Sequence, residues 1–152
     1  MKKKTTSHHP SGLDAEPVLR VVSDFLVPWI WLLGLYVTFH GEAGPGGGFQ
    51  GGVIIASGFI LHVLVHGEPA LNAVLSEGLL ERLCALGALF YAGVGVFAMI
   101  RGGNFLDYDH LVSPPGVGGQ PLGITLVELG VALTVAAVMT VIFSELHGIE
   151  DA

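Results

Sequence analysis

The chain has 152 residues, of which 51% are apolar and 12% charged, against roughly 25% charged in ordinary soluble domains. Its mean hydropathy of +0.69 points to a membrane protein forming one compact unit. Six Lys and Arg against 13 Asp and Glu give a formal charge of −7, which argues against a nucleic-acid partner, and a single cysteine, Cys84, excludes an internal disulfide.

Residues 1–17 form a polar tail. No small-x-small cleavage site closely follows the first apolar run, so that run reads as an uncleaved span rather than a secretory signal. His8 and His9 have no third ligand nearby and read as part of a solvated tail. The first span is expected at about residues 18–39, with Asp24 in its opening turns. Pro28 cannot donate to the carbonyl of residue 24, which weakens the helix there and leaves an acid beside a freed carbonyl. An interfacial Asp with a supporting kink is the preferred reading, and a cation or water site the second. Trp29, Trp31 and Tyr36 lie within the span, and only some of them can be interface anchors.

Next comes the least helix-like string of the chain. Gly41, Gly44, Gly46, Gly47, Gly48, Gly51 and Gly52 crowd a short segment with Pro45. Gly costs about 1 kcal/mol and Pro about 3 kcal/mol per helical position. Gly46, Gly48 and Gly51 fit G-x-G-x-x-G, but no strand precedes them, and the Lys and Ser/Thr of a phosphate loop are missing. The block reads as a close-packing motif formed by Pro45, Gly46, Gly47, Gly48, Phe49, Gly51 and Gly52, either a structural turn between two helices or a tight contact beside an ion path. Its glycines let another backbone approach and Phe49 anchors the turn against a neighbour. The second span, at about residues 51–66, reaches only roughly 24 Å, short of the roughly 30 Å of hydrocarbon. The block then either re-enters the membrane or the bilayer adapts locally. His62 and His66 are spaced i, i+4 and share one face. That spacing suits a metal, but no acid or Cys accompanies them on the helix. An interfacial His pair is the preferred reading, with proton transfer by His62 the second, and no metal site is expected.

A third span is expected at about residues 79–100 and a fourth at about 123–143. Ala88 and Ala92 with Gly95 nearby, and Ala132 and Ala136, are small-residue steps of the kind that pack membrane helices. Between these spans the turn-rich loop at residues 101–121 carries Asp107, Asp109 and His110, which read as surface loop residues rather than a cation site. Glu128 is the strongest intramembrane ionisable group. At that depth a carboxylate must face protein or water, or stay protonated. Residues 144–152 make a short acidic tail. Lys2, Lys3, Lys4, Arg20 and Arg82 would share one side of the membrane against Arg101 on the other, which places both termini in the cytoplasm.

The expected fold is thus all-α, an integral membrane bundle of four helices with a glycine-rich segment before the second. Strand-like alternation is absent. No Ser-His-Asp set, redox Cys pair, metal motif or nucleotide loop is present, so neither an enzyme nor a cofactor is expected. Candidate groups for an ion or proton path are Glu128, Asp24 and His62.

The string H-G-E-A-G-P-G-G-G-F-Q-G-G-V at residues 40–53 closely resembles the hallmark segment of the MnhB/MrpB family. The resemblance extends over the four-span layout, N-F-L at residues 104–106 and E-L-G-V at residues 128–131. The family's His after Gly corresponds to Glu42 here, His40 precedes Gly41, and one extra residue stands before Pro45. The family often carries Asp in place of Glu128. The resemblance implies a small subunit of a multi-subunit Na⁺ (or K⁺)/H⁺ antiporter of the cytoplasmic membrane, serving sodium extrusion and pH homeostasis. It would assemble with large complex I-like and small membrane subunits, with no nucleotide or nucleic acid, and line or support the exchange route. The alternatives are an assembly subunit without ion contact, or the same module in a membrane-bound hydrogenase-like respiratory complex.

Overall fold

The computed structural model describes residues 17–41, 44–112 and 118–150, with side chains as far as His147. His8, His9 and Glu42 lie outside the described residues. The elements in order are α1 (Pro17–Phe39), α2 (Gly48–His66), a short α3 (Glu68–Val74), α4 (Glu77–Ile100), a 3₁₀ turn at Tyr108–His110 and α5 (Gly119–Glu150). α1, α2, α4 and α5 are each long and apolar enough to cross a membrane, and no strand occurs among the described residues.

Two elements differ from the sequence-based expectation in length. α2 starts inside the glycine block, at Gly48, and its 19 residues reach about 28 Å, close to the hydrocarbon thickness. α5 runs for 32 residues, about 48 Å, so residues 144–150 continue the helix where a tail was expected. Their polar side chains end the apolar window without breaking backbone hydrogen bonding. α1 passes unbroken through Pro28. The chain leaves α2 through Gly67, whose φ of 81° suits glycine and whose N–H donates to the Val63 carbonyl at 2.7 Å. α3, with Pro69 in its first turn, buries Leu71 at that end of the bundle.

The helices pack in the order α1, α2, α5, α4, with α2 and α5 central. Side chains at the crossings are small, so backbones nearly touch. A Cβ on Gly51 would meet Thr38 and come within 2.7 Å of the Gly34 carbonyl on α1. One on Gly52 would fall 2.8 Å from the Ala132 carbonyl on α5, and one on Gly87 of α4 2.7 Å from the Gly130 carbonyl. Thr38 and Thr134 face two of these crossings and satisfy their hydroxyls inside their own helices, each donating at 2.9 Å to the carbonyl four residues back, of Gly34 and Gly130. Such contacts suit a bilayer, where packing and hydrogen bonding rather than water exclusion hold helices together. The Ala132–Ala136 step is buried at the centre as expected. The Ala88–Ala92 step is not the α4 interface. Ala88 is exposed, and Gly87, Val94, Gly95 and Ala98 form the inner face, displaced by one position from the alanines.

The outer faces of α1 and α4 expose Trp29, Leu32, Tyr36, Leu89, Val96 and Ile100, a surface for lipid or neighbouring chains. Trp31 instead turns inward, its ring 4.7 Å from that of Phe59 on α2.

Gly52→Leu should lower the thermal stability of the purified protein by at least about 1–3 kcal/mol through overpacking. Gly93→Leu, where nothing lies within 4 Å of the added Cβ, should not lower it and should raise it by up to about 1 kcal/mol, the helix cost of glycine. Unfolding in detergent followed by circular dichroism reads both.

Candidate functional site

The glycine turn folds back along the last turn of α1. Gly44 donates to the His40 carbonyl at 3.2 Å, and Gly47 donates to the Val37 carbonyl at 3.2 Å. Gly47 has φ 122°, a conformation open to glycine and strained for other residues. A Cβ on Gly46 would sit 2.9 Å from the Val37 carbonyl. α2 then begins at Gly48, flush against α5.

Glu128 on α5 is what the turn packs upon. A Cβ on Gly41 would fall onto the Glu128 carboxylate, and one on Gly47 would lie 3.1 Å from its Oε1. A Cβ on Gly48 would strike the Glu128 backbone. The half-buried carboxylate thus lies against the bare backbone of Gly41 and Gly47. It also lies at the N-terminus of α2, where unpaired amides carry roughly half a positive charge. The two strongest features of the sequence, the glycine block and the intramembrane acid, therefore form one site. Pro45 and Phe49 point away from it. Phe49, expected to anchor the turn against a neighbour, is 61% exposed. Gly51 and Gly52 serve the helix crossings instead. Gly41 was not foreseen as part of the motif, since only the position of Glu128 reveals its role.

A second cluster forms at the opposite end of α2, about 27 Å away along the helix. His62 and His66 stack with ring centroids 4.5 Å apart, and His66 Nε2 lies 3.2 Å from Oδ1 of Asp24 on α1. The expectation that the pair lacks an acidic companion is corrected here. The acid comes from the adjacent helix, not from α2. Consecutive antiparallel spans put the start of one level with the end of the next, and that was the available signal. Asp24 thereby sits level with the last turn of α2, with its side chain 59% exposed.

Residues 101–112, after α4, fold back on the bundle. His110 Nδ1 lies 3.1 Å from Asp107 Oδ2, the Phe105 ring covers Gly95, and Tyr108 packs on Gly119 and Gly123. Burial, with Tyr91 adding to it, holds the Tyr108 hydroxyl above its ordinary pKa. Asp107, Asp109 and His110 are half-buried rather than fully at the surface.

If Gly41 keeps the carboxylate in place, Gly41→Ala should displace it. Labelling of Glu128 by a carbodiimide, read by mass spectrometry, should then change severalfold, while Gly44→Ala, whose Cβ has 3.6 Å of clearance from the His40 ring, should leave it unchanged.

Residues 18–141 match the family model described as a domain related to the MnhB subunit of Na⁺/H⁺ antiporter. The chain is 35% identical over 133 residues to a protein of Staphylococcus haemolyticus named as a candidate antiporter subunit mnhB2, covering 86% of this chain and 94% of that one. A protein of the same name from Staphylococcus aureus (strain Newman) is 34% identical over 134 residues, with the same coverage. An uncharacterised protein of Methanocaldococcus jannaschii is 39% identical over 92 residues, 59% of this chain, which spans only 34% of that longer relative.

Proposed function

The chain belongs to the family related to the MnhB subunit of Na⁺/H⁺ antiporters, and from that premise we propose that it is a small multi-pass membrane subunit of a multi-subunit antiporter whose Glu128 takes part in cation or proton movement. The complex would exchange cytoplasmic Na⁺ for external protons, and this chain would contribute to the route and hold its neighbours.

The observation that carries the reading is the seat of Glu128. A carboxylate at membrane depth is costly unless protein or water surrounds it. Here the backbone of the glycine turn, at Gly41 and Gly47, and the N-terminus of α2 lie against it. With both termini in the cytoplasm, this seat lies toward the external side. Asp24, His62 and His66 then lie toward the cytoplasm. Neighbouring subunits have the exposed apolar faces of α1 and α4, and Phe49, to pack against.

Glu128→Gln keeps the shape of the side chain and removes its charge and titration. Na⁺/H⁺ exchange in everted membrane vesicles should fall at least about a hundredfold, the lower range for a lost proton-transfer group, while the complex still assembles on a native gel. Unchanged exchange would remove Glu128 from the mechanism. Gly47→Leu, placed at a positive φ, separates this reading from that of a purely structural subunit. Loss of the whole complex in Gly47→Leu, together with full exchange in Glu128→Gln, is the signature of a subunit that only holds others together.

A further inference from the structure

We propose that Asp24, His62 and His66 form a binding site for a divalent first-row transition cation, with Zn²⁺ the best fit. The three side chains each offer one ligand atom, and these atoms lie within 4.8 Å of one another. The pair His66 Nε2 and Asp24 Oδ1 is already 3.2 Å apart. That matches the edge of roughly 3.3 Å that a tetrahedral ion with bonds of about 2.0–2.1 Å requires. The two imidazoles stack nearly parallel, their planes 22° apart, on the same side of α2, and one ring has to turn for both nitrogens to face one ion. Closing the remaining distance needs only side-chain rotation, and the half-buried rings and the exposed carboxylate allow it.

The donor chemistry selects the class of ion. Na⁺, K⁺, Mg²⁺ and Ca²⁺ take oxygen ligands, whereas two imidazoles and one carboxylate suit Zn²⁺, Co²⁺, Ni²⁺ or Fe²⁺. The site is therefore not a seat for the transported sodium ion proposed above, and it stands whether or not Glu128 proves to carry ions. Three protein ligands leave a coordination position open for water or for a side chain of a neighbouring subunit. Location fits as well. The cluster lies at the last turn of α2, beside the Gly67 turn, and the exposed Asp24 gives a cation entry from the aqueous edge. The ligands also come from two helices, so a bound ion would tie α1, an outer helix, to α2 at the end remote from the glycine turn.

The test uses the full chain in detergent with His8→Ala and His9→Ala, which remove the other adjacent histidine pair. Titration with Co²⁺, followed by its visible absorption, should show one ion per chain, displaced by Zn²⁺ and indifferent to a large excess of Na⁺. His62→Ala and His66→Ala should each weaken binding at least about tenfold. His66→Cys should keep Zn²⁺ binding and add the near-ultraviolet band of a thiolate–Co²⁺ bond, a signature that a merely structural His66–Asp24 pair would not give. Absence of saturable binding by the folded chain would overturn the proposal. So would Co²⁺ binding that is the same in all three variants.

Discussion

Everything in this molecule depends on α2 being flanked by α1 and α5 at backbone distance. A bilayer offers no hydrophobic drive between helices, so contact must come from close packing. Gly51 supplies it toward α1, Gly48 and Gly52 toward α5. Larger side chains at these positions would push the central helix away from its neighbours. The turn before α2 obeys the same constraint. Gly46 and Gly47 lie along α1, while Gly41 and Gly47 lie over Glu128. One segment thus meets two helices, and it can do so because it carries almost no side chains.

The close approach also decides the chemistry at each end of α2. At its N-terminus the amides unpaired within the helix face the Glu128 side of α5. At its C-terminal turns His62 and His66 meet Asp24 of α1. Each end of one helix therefore carries its own ionisable site, and each site is completed by a neighbouring helix.

Much of this was legible in the sequence, and the misses share a cause. Four apolar runs of near-spanning length identify α1, α2, α4 and α5 because hydropathy is a property of single segments. The start of α2 was misplaced by three residues because helix propensity counts glycine as a breaker, whereas packing at Gly48 and Gly52 repays its cost in the folded chain. α5 was cut short because Glu145 and His147 end the apolar window, though the helix continues past them. The alanine step of α4 pointed to the wrong face, since small residues are common in membrane helices and only the facing partner selects among them. For the site, Glu128 and the glycine block could each be singled out, but not their contact. Asp24, His62 and His66 could each be named, yet only the antiparallel pairing of α1 with α2 brings them together.

The separation of the two clusters bears on how such a chain could serve exchange. They lie at opposite ends of one helix of 19 residues, about 27 Å apart, and the described core between them holds Ala56, Val63, Ala132 and Ala136. The buried polar groups there include Thr38 and Thr140, whose hydroxyls donate to carbonyls of their own helices, so the described interior offers a proton or a sodium ion few polar steps. On the proposal made above, a path that includes Glu128 would run at the boundary with a neighbouring subunit, where side chains from another chain or water can continue it. The open row α1, α2, α5, α4 suits that arrangement, because it leaves both central helices with a face that a partner can reach. On this view Glu128 contributes one ionisable group at one depth, and the remaining steps belong to the complex.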